Sequence, residues 1–306
     1  MNGFLNINKP TGMSSAAVVG VIRRLTGEKR VGHAGTLDPE AAGILPIMIG
    51  RATRLFDYLA DKEKEYVTEV EFGRSTDTQD FTGKTLETGN NYPDAELILE
   101  KLPMLTGDIR QKPSAYSAIK VGGRRLYDLA RRGEEAEAPE RNVHVERIEL
   151  LREMPEHGFE LRVTCGKGTY IRSICHDLGR LCGCPAHMRS LIRTRSGFFR
   201  MENAISLEEA KALAEEGRLE EKLIPMDEPL EALPKAEVPE RLTRKALAGA
   251  KLPVGEVYGA LEVPEGQAVR VCLKGRFWGI AAREGEWLVW KAVLGEQETR
   301  ESGQPA

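Results

Sequence analysis

The chain has 306 residues, with 44 Lys and Arg against 47 Asp and Glu, a formal net charge of −3 and a hydrophobic fraction of 41%. This length predicts about two domains with ample room for a buried core. No apolar run approaches the ~18 residues that would favour a membrane-spanning helix. The five cysteines suggest no disulfide framework and the amino terminus lacks a secretory pattern, so we expect a cytoplasmic location and no membrane partner.

The near-neutral total conceals an uneven distribution of charge along the chain. Residues 161–200 carry eight basic side chains against one acidic side chain, and seven of the eight are arginine, whose planar guanidinium suits bidentate contact with phosphate. Residues 201–306 are acidic, with 14 basic and 20 acidic side chains. The basic block is compatible with a surface that contacts nucleic acid and equally with a solvated face of a helix and a strand.

Helix and strand patterns alternate along the first two thirds of the chain without a regular βαβ repeat. The first helix is predicted to begin at Ser14 or Ser15 and to end at Gly27, because Val18 and Ile22 fall on one apolar stripe between these capping residues. Similar patterns predict strands over 66–72, 143–151 and 159–164 and helices over 94–105, 171–181 and 206–216.

Two stretches interrupt these patterns and suggest the domain organisation. The segment 111–141 is rich in glycine and charge and is predicted to be a mobile insertion with one short helix. Prolines between 225 and 239 predict a linker, and short strands are predicted beyond it over 269–273, 277–281 and 287–290. We therefore expect a larger domain over 1–233 that contains the insertion, a small β-rich domain over 234–295 and a disordered tail over 296–306.

A cluster of cysteine and histidine residues lies within 13 positions and raises the question of a zinc site. Its members are Cys175, His176, Cys182, Cys184 and His187. Zinc prefers these residue types, but the C-x-C spacing differs from the usual C-x-x-C and the first pair lies inside a predicted helix. The pattern favours buried thiols that pack as small apolar side chains, and we expect no metal.

The sequence contains no complete motif for binding a nucleotide cofactor. The segment Gly83-Lys84-Thr85 matches the end of a phosphate-binding loop, but Thr78 stands where the first glycine of that loop belongs. No glycine-rich dinucleotide fingerprint follows a predicted strand. We therefore expect no cofactor.

The segment from Gly32 to Pro46 concentrates the residues that can carry chemistry. Pro39 restricts the backbone directly after Asp38, and Gly35 and Gly43 permit tight turns on either side. These residues predict a rigid loop that presents one carboxylate. The residues alone are more typical of an ordinary Asp-Pro turn.

This segment, His33-Ala-Gly-Thr-Leu-Asp-Pro-Glu-Ala-Ala-Gly-Ile-Leu-Pro46, resembles the signature H-A-G-T-L-D-P-x-A-x-G-x-L-P of the TruB family of pseudouridine synthases, which holds the catalytic aspartate. The resemblance extends over about 1–230. Further blocks resemble the family in the same order along the chain, at 9–15, 64–66, 76–80, 116–120, 167–172 and 177–179.

The resemblance implies an α+β pseudouridine synthase fold, with a central mixed or antiparallel sheet flanked by helices and a small β-rich, PUA-like RNA-binding domain at the carboxyl end. It implies an enzyme that isomerises uridine-55 in the T-loop of tRNA to pseudouridine without any cofactor. The implied partner is the T-arm of tRNA, bound by a monomer that needs no protein partner.

The resemblance also implies a role for six side chains. Asp38 is the expected nucleophile, Arg172 its ion-pair partner, and Tyr66 the residue that packs on the flipped uracil and assists removal of the C5 proton. The remaining three are expected to wall the pocket or support the RNA loop: Tyr170, Leu191 and His33. The residues alone leave open a core aromatic at Tyr66, a phosphate contact at Arg172 and a loop-stabilising hydrogen bond at His33.

Two departures and two alternatives remain. Ser114 stands where the family has a proline, and residues 182–185 form an unusual version of a glycine-rich turn. Both positions lie outside the catalytic blocks, so the departures concern contacts with RNA more than activity. The alternative function is an RNA-binding, tRNA-folding chaperone with secondary catalysis; intact Asp38, Tyr66 and Arg172 favour the enzyme. A guide-RNA-dependent relative is disfavoured by the short carboxyl-terminal unit.

Overall fold

The structure is a computed structural model that describes residues 1–117, 119–132 and 138–295. The expected disordered tail over 296–306 and most of the acidic part of the insertion, 133–137, lie outside the described residues. None of the described helices is long and apolar enough to cross a membrane.

The elements that the structure describes are numbered in chain order. The helices are α1 (Ser15–Thr26), α2 (Phe56–Ala60), α3 (Ala95–Lys101), α4 (Leu126–Arg131), α5 (Ile171–Cys182), α6 (Leu207–Glu215) and α7 (Thr243–Leu247). The strands are β1 (Gly3–Lys9), β2 (Val31–His33), β3 (Ala42–Ile49), β4 (Lys64–Phe72), β5 (Arg74–Thr76), β6 (Thr85–Thr88), β7 (Gly107–Gln111), β8 (Lys120–Val121), β9 (Arg124–Arg125), β10 (Arg141–Met154), β11 (Gly158–Cys165), β12 (Ala186–Ser196), β13 (Phe199–Arg200), β14 (Ile205–Ser206), β15 (Lys235–Val238), β16 (Leu252–Pro253), β17 (Ala268–Leu273), β18 (Arg276–Glu284) and β19 (Trp287–Val293).

A large mixed sheet organises the first two thirds of the chain. Within the described residues it contains ten strands, in the order β14-β1-β3-β12-β4-β11-β10-β7, with β2 paired to β3 and β13 paired to β12. Most neighbours are antiparallel, but β14 runs parallel to β1 and β12 runs parallel to β3. The mixed sheet agrees with the sequence prediction.

Strands β1 and β3 are buried on both faces, and their side chains alternate between two cores. Leu5 and Leu45 point into a core that also takes apolar residues from α1, α3, α5 and α6. Phe4 and Ile44 point to the opposite face, into a core shared with Ile280 of the second sheet. These four helices therefore flank one face of the sheet, and the carboxyl-terminal unit packs near the other.

The predicted helix boundaries are confirmed where capping chemistry marks them. The Ser14 hydroxyl caps α1 by accepting from the backbone N–H of Ala17, and Gly27 ends this helix in the left-handed conformation. Ser206 caps α6 in the same way. The helix predicted over 94–105 is an α-helix only to Lys101 and continues as a 3₁₀ turn, since Pro103 cannot donate an α-helical hydrogen bond.

The carboxyl-terminal unit is a small β-rich domain, as predicted. Five of the described strands form its sheet, in the order β15-β17-β18-β19-β16. The chain that leads into it is ordered: Leu230 is buried in the core shared by the two sheets. Arg51 reinforces this contact by donating to the carbonyl oxygens of Leu294, at 3.0 Å, and Gly295. The proline-rich segment therefore joins two units that pack against each other.

The insertion contains the short helix that the sequence predicted, α4, preceded by the hairpin of β8 and β9. Leu126, Leu129 and Ala138 form a small apolar cluster of their own. At the amino-terminal side, Gln111 lies in the large sheet as part of β7. The insertion thus begins at the edge of the sheet and folds around a separate, local core.

One glycine permits the closest approach between two strands of the large sheet. Gly43 has φ +102°, and a Cβ atom there would lie 2.2 Å from the carbonyl oxygen of Arg193. We expect Gly43→Ala to lower the free energy of unfolding by about 3 kcal/mol, because both the backbone angle and the contact oppose a side chain. Denaturant unfolding followed by circular dichroism measures this loss.

The matched control is Gly20→Ala, which adds the same methyl group inside α1, where no atom lies within 4 Å. It should raise the free energy of unfolding by about 0.5–1 kcal/mol, since alanine favours helix. Equal stability of Gly43→Ala and the parent would contradict the close approach.

Candidate active site

A loop between β2 and β3 presents Asp38 and is fastened to the start of α1. We call residues 34–41 the aspartate loop. The Ser15 hydroxyl accepts from the backbone N–H of Leu37 at 2.8 Å and donates to its carbonyl at 2.9 Å. The backbone N–H of Ala41 donates to the carbonyl of Asp38 at 3.1 Å. These bonds fix the backbone on both sides of the carboxylate, as the rigid-loop prediction requires.

A buried lysine, Lys9, stabilises the same loop through hydrogen bonds to backbone carbonyls. The Lys9 ammonium is fully buried and donates to the carbonyl oxygens of Pro10, Met13 and Pro39. Burial lowers the pKa of Lys9 to about 8, against the opposing charges of Glu40 and Asp38. From the sequence, no role is predicted for this residue beyond its place in a family motif. In the structure it ties the end of β1 to the backbone immediately after the aspartate.

Arg172 holds the carboxylate of Asp38. Its Nε lies 3.0 Å from Asp38 Oδ2, and the arginine side chain is 6% exposed whereas that of the aspartate is 41% exposed. The other guanidinium nitrogens donate to the carbonyls of Thr78 at 2.9 Å and Tyr116 at 3.0 Å, and Asp80 Oδ2 lies 3.8 Å away. The arginine is thus immobilised by two separate segments while the aspartate faces outward.

The carboxylate opens into a cavity of about 240 Å³. Tyr66 of β4 and Leu191 of β12 come from neighbouring strands of the sheet, and Tyr170 immediately precedes α5. The structure therefore brings together five of the six side chains singled out in the sequence: Asp38, Tyr66, Tyr170, Arg172 and Leu191.

His33 lies outside the wall of this cavity. It is the last residue of β2, its side chain is half-buried, and its Nδ1 has no hydrogen-bond partner among the residues that the structure describes. Burial lowers the pKa of His33, and the charge of Arg193 lowers it further. A half-buried imidazole with a lowered pKa, directly before the aspartate loop, fits a supporting position better than a place in the reacting pocket.

The two tyrosines are held in different ways. Tyr66 is 8% exposed and belongs to the hydrophobic core, which confirms the core-aromatic alternative, and it also lines the cavity. The backbone of Tyr170 exchanges two hydrogen bonds with the Gln111 amide, and Arg141 lies 5.6 Å above its ring. Burial raises the pKa of both phenols.

The cavity wall also contains two buried cations that the sequence did not predict as site residues, Lys64 and Arg193. The buried Lys64 ammonium donates to the carbonyls of Ala60 and Lys62 at 2.6 Å each, and burial lowers its pKa to about 8. A signal was present in the sequence: Lys64 lies two positions before Tyr66, and Arg193 lies two positions after Leu191. Alternate residues of a strand share one face, so a strand that presents one cavity residue presents the other.

The basic block at 161–200 forms neither a uniform nucleic-acid surface nor a simple solvated face. Arg172 and Arg193 are buried. Arg189 lies 2.6 Å from Glu71 and 2.7 Å from Glu156, and Arg195 forms an ion pair with Glu63. A count of charges along the sequence missed these pairings because the acidic partners come from distant strands and turns.

The cysteines are buried, as the sequence predicted. All five lie in the described part of the chain and are free thiols. Burial raises the pKa of Cys175 to about 12 and that of Cys182 to about 11. Among the described residues, no group of three or more His, Cys, Asp and Glu side chains is placed to hold a metal ion.

Comparison with known proteins gives consistent matches across this architecture. A model described as TruB family pseudouridylate synthase (N terminal domain) matches residues 23–171, and one described as tRNA pseudouridylate synthase B C-terminal domain matches residues 172–231. The tRNA pseudouridine synthase B of Bacillus licheniformis is 44% identical over 257 residues, which cover 82% of this chain and 83% of that protein. The protein of the same name from Bacillus subtilis is 42% identical over 277 residues, 89% of each chain.

The fold also has solved counterparts. A chain in the crystal structure of a Cbf5-Nop10-Gar1 complex superposes with a TM-score of 0.74 and 26% identity, covering 96% of this chain and 85% of that one. A chain in the crystal structure of an archaeal box H/ACA sRNP Nop10-Cbf5 complex gives the same TM-score with 25% identity. The coverage includes both sheets, so the carboxyl-terminal β-rich domain belongs to the shared architecture.

Thiol chemistry tests the burial of the cysteines. With Ellman's reagent at pH 8, we expect the thiols of the folded protein to react slowly, because thiols of raised pKa inside a core are poorly ionised and inaccessible. In the unfolded protein, all five thiols should react. Stoichiometric reaction before unfolding would contradict the structure. A rise in reactive thiols after treatment of the folded protein with a chelator would favour the zinc alternative.

Proposed function

The chain belongs to the TruB family of pseudouridylate synthases, and we propose that its substrate is tRNA, in which it converts uridine-55 of the T-loop to pseudouridine with Asp38 as the nucleophile. The observation that carries this proposal is the carboxylate of Asp38, held by the buried Arg172 at 3.0 Å and exposed toward a cavity with tyrosine and leucine walls. The tRNA pseudouridine synthase B proteins that it resembles match over four fifths or more of the chain.

The reaction requires little beyond a positioned carboxylate and a route for one proton. The N1–C1′ bond of the nucleotide breaks, C5 bonds to C1′, C5 loses a proton and N1 gains one, so nothing is oxidised and no group is lost. Asp38 attacks as a carboxylate whose Oδ2 is oriented by Arg172. This chemistry needs no cofactor or metal, in agreement with the motifs of the sequence.

The walls of the cavity suit an extruded base. A uridine within a tRNA loop has to leave its stack to reach Asp38, and apolar or aromatic walls offset part of the unstacking cost. Tyr66 packs on the uracil and Tyr170 and Leu191 close the sides, which excludes water from the reacting atoms. Tyr66 also pairs across the sheet with a buried cation, Arg193, which lines the same cavity.

In this proposal, the other parts of the chain bind and recognise the tRNA. His33 supports the RNA loop from the end of β2, and the insertion at about 111–141 contacts the T-arm. The chain divides into a catalytic domain over 1–233 and a PUA-like RNA-binding domain over 234–295. It acts as a cytoplasmic monomer without a protein partner.

Substitution of the nucleophile tests the function. Purified Asp38→Asn is expected to form no measurable pseudouridine in an unmodified tRNA transcript, because the neutral amide cannot attack, whereas the parent protein modifies position 55. Loss of the nucleophile should slow the reaction by about 10³-fold or more. Mapping of pseudouridine by chemical adduct formation and reverse transcription identifies the position.

The matched control is Glu40→Gln. It also replaces a carboxylate by the corresponding amide, two positions further along the same segment, on an exposed side chain. It should retain activity within about threefold, since surface substitutions have small effects. Full activity of Asp38→Asn, or an inactive parent protein, would overturn the proposal. Both variants should bind tRNA as the parent does in a filter-binding assay, because neither change removes a basic residue.

A further inference from the structure

Arg193 is a fully buried cation at the back of the cavity. Its side chain is 1% exposed, Nε donates to the carbonyl of Ile44 at 2.7 Å and Nη2 donates to the carbonyl of Gly35 at 3.1 Å. These two carbonyls belong to opposite ends of the segment that carries Asp38. A single guanidinium therefore spans the base of the aspartate loop.

The charge of Arg193 has no carboxylate to neutralise it in the part of the chain that the structure describes. Its interactions there are with backbone carbonyls and with Tyr66. A buried charge without a counter-ion carries a large desolvation penalty. Its field also reaches neighbouring bases, since it helps to lower the pKa values of Lys9, His33 and Lys64 below what burial alone would give. Two backbone hydrogen bonds alone could be made by a neutral amide side chain, so the charge calls for a separate explanation.

The group that benefits from this charge is the Tyr66 phenol. Tyr66 and Arg193 are direct partners in the pairing of β4 with β12, and both side chains line the cavity. Burial raises the pKa of Tyr66, and the positive charge of Arg193 opposes that rise. Cys165 and Asp38 act in the raising direction. Arg193 is thus the neighbour that favours a tyrosinate.

We propose that Arg193 is a positioning residue that fixes the Tyr66 hydroxyl against the aspartate loop and stabilises a tyrosinate during the reaction, so that Tyr66 can give one proton to the uracil and take another from it. This proposal rests on the function proposed above. It assigns a purpose to a buried charge that neither the ion pair of Asp38 nor the binding of the base explains.

Tyr66 alone can supply the proton that N1 gains and accept the proton that C5 loses, so no other acid or base is required. Asp38 attacks C1′ and the electrons of the N1–C1′ bond stay with the uracil, whose N1 receives the Tyr66 phenolic proton. C5 then bonds to C1′ and displaces the Asp38 carboxylate. The tyrosinate takes the proton from C5, and the electrons of that C–H bond restore the C5–C6 double bond. Tyr66, Asp38 and Arg193 return to their starting states.

The test compares Arg193→Gln and Arg193→Lys with the parent protein under single-turnover conditions, using tRNA transcribed with ordinary or C5-deuterated uridine. Gln retains a donor for the carbonyls and removes the charge, whereas Lys retains the charge. We expect Arg193→Gln to be slower by roughly 100-fold and Arg193→Lys by less, the scale of general acid–base catalysis. Both should show a primary deuterium isotope effect at least as large as that of the parent, because removal of the C5 proton becomes the slow step.

The isotope effect separates this role from a structural one. A slowed variant whose isotope effect is smaller than that of the parent would overturn the proposal, as would full activity of Arg193→Gln. Circular dichroism first establishes that each variant folds; if Arg193→Gln does not, the smaller change in Arg193→Lys decides by the same criterion. Arg195→Met, on the same strand, should keep the isotope effect of the parent. Absence of pseudouridine with the parent protein would instead refute the proposed function.

Discussion

The site depends on a short parallel pairing in the middle of the large sheet. Strands β3 and β12 meet over two residue pairs, Ile192 with Ala42 and Arg193 with Gly43. Only glycine fits at 43, because any Cβ atom would lie 2.2 Å from the carbonyl oxygen of Arg193. This contact joins the part of the sheet built from β1, β2 and β3 to the part built from β4, β11 and β10. It also places the chain that leaves the aspartate loop directly beside the strand that carries Leu191 and Arg193.

The rest of the cavity follows from that junction. The neighbour of β12 on its other side is β4, so Tyr66 comes to lie opposite Arg193 without any contribution from loop geometry. Helix α5 leads into β12 and packs on it, which brings Arg172, in its first turn, up to the carboxylate of Asp38. A rigid sheet and one helix start thus supply the walls. The aspartate loop, tied through Ser15, supplies the carboxylate of Asp38, so the side chains around the cavity are held by fixed elements of the domain.

The sequence predicted the amphipathic elements and the loop that presents Asp38, but not the strands at the junction. Capped α1 and α6 and alternating β4 have patterns that local physics determines. Strand β3 does not: it is apolar on both faces and contains Pro46, which argues against a central strand. Pro46 is tolerated there, opposite Asn6 of β1, and its carbonyl accepts from Ala34. Lys9 and Arg193 were unforeseen for a related reason, because burial of a cation depends on carbonyl oxygens contributed by distant segments.

The distribution of charge around the cavity is consequently asymmetric. Arg172 faces two carboxylates, Asp38 at 3.0 Å and Asp80 at 3.8 Å, so its positive charge is paired with negative charge. Arg193 faces carbonyl oxygens and a phenol, so its charge remains available to an anion formed inside the cavity. The formal net charge of −3 gives no sign of this arrangement, because the negative charge of residues 201–306 outweighs the net positive charge of residues 1–200. An isomerisation that begins and ends with neutral uracil needs such a field only in between, when electrons of the broken glycosidic bond reside on the base. A preformed, buried guanidinium provides that field without any reorganisation at the moment of bond breaking, and this is the physical reason for keeping an unneutralised charge in the core.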